Sequence, residues 1–242
     1  MCRHRANPSD RLGCLIGVPG RDNLRWHRNP RLRWETVTVG EEAQPTGLQH
    51  VVVAAGTLAE WADMNVADWT RRLQLLGAGA AAGGARWVTL LPHGGPALPL
   101  AEMNGLLSLI DGTGKVQTVH PDGSVRRASQ RDDGMVLIVD PAPDGHERMA
   151  AAVRRLCADG RAVEEIDEAS LASAILEPAC AEPDLVVAIG PPDRLPASLV
   201  WGLGYSEIVF LDLGWKSLSA SHLELAIDDF NRRHRRFGGL DS

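Results

Sequence analysis

Five short apolar runs, bounded by turn residues and interleaved with stretches of helical period, constrain this chain more than any other feature. They are His50–Ala55 (HVVVAA), Trp87–Leu91 (WVTLL), Met135–Val139 (MVLIV), Asp184–Ile189 (DLVVAI) and Ile208–Leu211 (IVFL). A run with no polar alternation suits a strand buried on both faces, which requires helices on both sides of its sheet. Helical patterns cover Val66–Gly84, Leu98–Ile110, Gly145–Asp159, Asp167–Leu176 and Ser221–Phe237; in the first, Trp69, Leu73, Leu76 and Ala80 share a face. Lys115–Val119 and Ser124–Arg127 flank Pro121-Asp122-Gly123 and predict a hairpin. The alternation predicts an α/β single domain whose mostly parallel central sheet is flanked by helices.

The chain's 242 residues suffice for one core without a metal or disulfide staple. Charge is uneven. Residues 1–34 hold eight arginines against Asp10 and Asp22, a local +6 that leaves −12 for the remainder of a chain of net charge −6. We read 1–45 as a basic, flexible arm and 46–242 as the folded domain. The arm's charge suits peripheral contact with an anionic membrane surface, whereas the acidic balance of the whole excludes a general nucleic-acid binder. No apolar run approaches the ~20 residues of a membrane span, and the N-terminal arginines precede no apolar signal stretch. Cys2, Cys14, Cys157 and Cys180 form no CxxC pair, so free thiols in a reducing cytoplasm are expected in place of a zinc site.

Several features look chemical and are not. Gly77, Gly79 and Gly83 are spaced GxGxxxG late in a helical pattern, which fits close helix packing better than a dinucleotide loop. His93, beside two glycines, has no nucleophile motif with it, His120 falls in a turn, and Asp132-Asp133 lacks the further aspartate of a DDxxD motif. Trp69 and Trp87 fit buried positions.

The last forty residues are specific. Trp201-Gly-Leu-Gly-Tyr205-Ser-Glu207-Ile-Val-Phe210, then Trp215, then Phe230-Asn-Arg-Arg-His-Arg-Arg236-Phe-Gly238-Gly239 resembles the C-terminal end of the cis-prenyltransferases. That family holds the undecaprenyl diphosphate synthases and their dehydrodolichyl relatives. The match runs without gaps from Asp184 to Gly239 and more weakly back to His50. It implies extension of an allylic diphosphate by isopentenyl diphosphate with Z geometry, with magnesium and cations absorbing the charge of the departing diphosphate.

The resemblance fails at the chemical centre. The family pattern His-Val-x-x-x-Met-Asp-Gly-Asn-Gly-Arg-Trp stands here as His50-Val-Val-Val-Ala-Ala-Gly56-Thr57-Leu58-Ala59-Glu60-Trp61. Gly56 replaces the magnesium-binding aspartate, and Glu60 replaces an arginine that pairs with diphosphate, so both catalytic positions are degenerate. In the second phosphate station Ala188 replaces an arginine and Pro196 a serine, while Arg194 survives; Pro92-His93-Gly94-Gly95-Pro96 replaces a Ser-Ser-Glu-Asn-Trp loop.

The resemblance therefore implies a non-catalytic subunit of the Nogo-B-receptor type, in a heterodimer with a catalytic cis-prenyltransferase homologue. Arg194, Arg236 and Gly238 are its expected diphosphate-binding residues, the last two reaching into the partner's site. Trp201, Tyr205, Glu207 and Phe210 are the expected interface. Glu207 is the residual candidate metal ligand, with Mg2+ of the holo-complex held mainly by the partner. The alternatives are a divergent prenyltransferase or terpene-synthase-like enzyme of the same fold, and a prenyl-phosphate-binding regulator.

Overall fold

A computed structural model describes residues 22–26, 34–38, 47–119, 125–199 and 206–237, the backbone alone in 22–26, 34–38 and 234–237. The chain divides into two compact units, Met1–Glu42 and Ala43–Ser242. In the first, β1 (Asp22–Trp26) and β2 (Trp34–Thr38) pair antiparallel with Trp26 opposite Trp34.

The second unit runs β3 (His50–Ala55), α1 (Leu58–Ala62), α2 (Val66–Ala82), β4 (Trp87–Leu91), α3 (Leu100–Asp111), β5 (Gln117–Thr118), β6 (Arg127–Gln130), β7 (Val136–Val139), α4 (Gly145–Ala158), α5 (Glu168–Leu176), β8 (Leu185–Ile189), β9 (Glu207–Leu211) and α6 (Ala220–Phe237). Seven strands form one sheet in the order β5-β6-β7-β4-β3-β8-β9. The five from β7 to β9 are parallel; β5 and β6 add an antiparallel edge. This is the expected α/β architecture. The turn expected at Pro121–Gly123 lies outside the described residues, and β5 is shorter than the sequence suggested.

Strand alternation sorts side chains onto two faces. Val51, Val53, Leu90, Leu137, Val187 and their neighbours meet α1, α2, α3 and α6 in the main core, where Trp61, Trp69 and Phe230 are buried. Val52, Ala54, Leu91 and Val186 face the other way, towards Leu199. Ala152, Leu156, Ala174 and Ile175 pack α4 on α5. Trp87, expected in the core, is only half-buried, because it opens β4 beside the Arg86 guanidinium, 5.7 Å from the ring. Cys157 is a free, exposed thiol, but Cys180 is disulfide-bonded, against the expectation of four free thiols.

The three glycines of the false fingerprint have packing roles. A Cβ on Gly79 would lie 3.1 Å from the Leu223 side chain, and one on Gly83 2.5 Å from Ile227 Cγ2. Both neighbours belong to α6, so small residues let α2 and α6 approach closely. Gly77 abuts Arg131 instead.

Candidate functional site

In open α/β sheets, ligands collect at the carboxyl ends of the parallel strands. Here β3, β4 and β8 end side by side, bringing Gly56–Glu60, His93–Gly95 and Gly190–Arg194 to one edge. The loops are stitched together: His93 N–H donates to Gly56 O (2.7 Å), and Thr57 bridges Gly94.

Gly56 adopts φ +66°, a conformation that costs a side-chain-bearing residue energy. A Cβ there would lie 2.9 Å from Trp215 Cγ. Trp215 is itself held: its Nε1 donates to Met64 Sδ (3.3 Å), and the Arg72 guanidinium lies 4.3 Å above its ring. Arg72 is buried and donates through Nη1 to Leu218 O (2.7 Å). The space a side chain at position 56 would enter is thus filled by the Trp215 indole.

Glu60 is engaged locally. Its carboxylate folds back to accept from Thr57 N–H (2.8 Å) and Oγ1 (3.1 Å), while Thr57 Oγ1 accepts from Glu60 N–H (3.2 Å). This is a capping box on α1, a helix the sequence reading missed although Thr57-Leu-Ala-Glu60 carries its S/T-x-x-E signal. Trp61 Nε1 then donates to Ala55 O (2.9 Å) and ties the helix to the end of β3.

His50, the other matched end of the motif, is fully buried. Its Nδ1 donates to Ala181 O (2.8 Å) and its Nε2 lies 2.9 Å from Thr89 Oγ1. A carbonyl can only accept, so Nδ1 carries the proton and the threonine hydroxyl donates to Nε2. Burial pushes this imidazole down to about 4. Asp184 Oδ2 accepts from the Gln49 and His50 amides (2.7 and 2.9 Å), fixing the start of β3.

Of the expected diphosphate-binding residues, Arg194 is exposed at the loop edge, where its charge, after burial, helps lower the neighbouring His93 imidazole. Arg236 lies in the last turn of α6, its side chain outside the described residues with Gly238, Trp201 and Tyr205. Glu207 and Phe210 are half-buried on β9, the edge strand opposite β5.

Glu207 opens β9 whereas Gly56 follows the end of β3, so the two lie at opposite ends of the parallel strands. Glu207 is in register with Leu185 and hence Val51, five residues before Gly56, or about 16 Å along the strands. Glu207 Oε2 lies 4.0 Å from Arg233 Nη1 on α6. A magnesium ion, which the resemblance implies, does not fit this chain's own donors: position 56 has no carboxylate, Glu60 is a cap, and no three metal-ligating side chains cluster among the described residues.

A mostly parallel sheet with loops gathered at the carboxyl edge of β3, β4 and β8 defines an open α/β protein. The family model Prenyltransf, described as "Putative undecaprenyl diphosphate synthase", matches residues 117–238, just over half of the 242. The chain belongs to this prenyltransferase family. It is 35% identical over 115 residues to the ditrans,polycis-undecaprenyl-diphosphate synthase ((2E,6E)-farnesyl-diphosphate specific) of Lactiplantibacillus plantarum, covering 45% of this chain and 44% of that protein. It is 36% identical over 107 residues to an isoprenyl transferase of Chromobacterium violaceum, covering 44% and 42%. The chain thus spans less than half the length of these curated relatives. Its fold is similar to the crystal structure of a probable undecaprenyl diphosphate synthase from Campylobacter jejuni, with TM-score 0.52 and 17% identity over 79% of this chain and 98% of that one. It is also similar to lavandulyl diphosphate synthase from Lavandula x intermedia, with TM-score 0.53 and 16% identity over 77% and 96%.

Proposed function

We propose that this chain is a non-catalytic accessory subunit of a heteromeric cis-prenyltransferase that makes Z-polyprenyl diphosphate from isopentenyl diphosphate and an allylic diphosphate. The observation that carries the reading is the conversion of the Gly56–Glu60 segment into structure. A glycine under Trp215 stands at the metal position, and a carboxylate that caps α1 stands at the arginine position. In this reading the partner binds Mg2+ and both substrates. This chain contributes Arg236, in the last turn of α6, and Gly238, just beyond it in sequence, to the partner's diphosphate, and Trp201, Tyr205, Glu207 and Phe210 to the interface. The half-exposed edge strand β9 supports the interface, because an open strand with aromatic and aliphatic side chains favours association. The complex acts in the cytoplasm, at the membrane periphery; no helix among the described residues is long and apolar enough to cross a membrane.

The test is co-expression with catalytic homologues, followed by a radiolabelled isopentenyl diphosphate assay with farnesyl diphosphate and magnesium. The isolated chain should give no turnover, since losing several contacts of a few kcal/mol each removes many decades of rate. The co-purified complex should be active. Family-like rates from the isolated chain would overturn the proposal and favour an enzyme of altered chemistry.

A further inference from the structure

A cavity lies on the second face of the sheet, and its polar lining is His50, Thr89, Arg126, Asp140, Arg148 and Ser198. Apolar side chains such as Val52, Leu91, Ile138 and Ile175 complete the wall. His50 and Thr89 are spent on each other and on Ala181 O. Arg126 grips Asp140 Oδ2 through Nε (3.0 Å) and Nη2 (2.7 Å), and also donates to Glu177 O. Asp140 Oδ1 accepts from Ala142 N–H (3.2 Å).

Arg148, in the first turns of α4, is left short of acceptors. Its side chain is 11% exposed, and its Nη1 donates to Ser198 O (2.8 Å). Its Nε lies 3.2 Å from Asp140 Oδ2, the oxygen that Arg126 already grips, but is buried without a hydrogen bond among the described residues. Two guanidinium groups therefore converge on the one carboxylate that lines the cavity. A buried guanidinium with an unused donor is costly unless something accepts from it.

We propose that this cavity takes a small anion that accepts hydrogen bonds from the Arg148 guanidinium. A compact monoanion such as a halide suits a small cavity in which two guanidinium groups outweigh one carboxylate. It would brace α4 against the Ala197–Leu199 turn, which already reaches Arg148 through Ser198 O and reaches β4's exit through Ser198 Oγ to Pro92 O (2.6 Å). The proposal does not depend on the subunit reading.

The experiment is thermal unfolding of the full chain in halide-free, phosphate-free buffer, titrated separately with sodium chloride and sodium phosphate. The midpoint should rise saturably, by about 2–4 °C at about five times the dissociation constant. Arg148→Met should abolish the saturable rise, while Asp140→Asn should bring it to lower concentration by removing the competing carboxylate. No rise in the unaltered chain, or an equal rise in Arg148→Met, overturns the proposal, since general salt effects act on both alike. If Arg148→Met does not fold, bromide-soaked crystals of the unaltered chain decide: an anomalous peak within about 3.5 Å of Arg148 supports the site, and its absence overturns it.

Discussion

At Gly56 one residue carries two burdens, a positive φ and the face of Trp215. Gly56→Ala should therefore lose about 1–3 kcal/mol in urea unfolding, although alanine adds only a methyl group. Glu60 tests a different idea. If its carboxylate is a cap, Glu60→Ala should cost about 1 kcal/mol of stability and leave the activity of the assembled complex unchanged. A large gain in diphosphate affinity on removing the charge would instead mean that it repels substrate. His50 supplies a pH signature. It titrates near 6.5 in the unfolded chain and at about 4 in the fold, so between those values the unfolded state binds a proton that the native state lacks. Stability should be fully present above pH 6.5 and fall by up to about 3 kcal/mol as the pH drops towards 4. His93, also lowered, adds in the same sense, whereas the carboxyl of Asp140, which Arg126 and Arg148 hold low despite its burial, gives way only below the ordinary carboxylate range. Urea midpoints at pH 7, 6, 5 and 4.5 measure the slope; a flat profile contradicts a neutral buried imidazole.

Between elements, the contact of α2 with α6 rests on absent side chains. A glycine-to-alanine change at a helix end with ordinary dihedrals is normally harmless. Gly83→Ala should nevertheless cost about 1–2 kcal/mol, because its Cβ would lie 2.5 Å from Ile227 Cγ2. Ile227→Ala is destabilising alone through its cavity, yet the double variant should lose less than the sum of the two. Strict additivity in that cycle would show that α2 and α6 do not meet here. The strands were legible because they are buried on both faces: β3 and β4 have the bounds the apolar runs predict. Helix α1 was not, because five residues give no period and only the cap signals them.

For the whole molecule, the detectable family sequence starts at residue 117, beyond Gly56–Glu60, while similarity of fold extends over 79% of the chain. In the proposed complex, Arg236→Ala, or truncation after Arg235, should leave assembly intact and cut activity roughly tenfold to more than a hundredfold. That is the loss of one charge-assisted contact of about 1.5–3 kcal/mol. Arg232→Ala should matter much less, since its Nε donates to Asp228 O (3.2 Å) within α6. Gel filtration and the isotope assay, run on the same preparations, separate assembly from turnover; full activity of the truncated complex would remove the shared site.

By itself the sequence determined the layered α/β class, the positions of the buried strands and the family through Asp184–Gly239. Those are matters of residue type and short-range period, which a chain displays before it folds. Only the tertiary structure decided that Trp215 covers Gly56 from 159 positions away, that Glu60 turns back onto Thr57, and that Arg126 and Arg148 share Asp140. It also decided that Glu207 and Gly56 lie at opposite ends of the parallel strands. Such contacts depend on which strands become neighbours and on where each side chain is buried, and neither is written in local spacing.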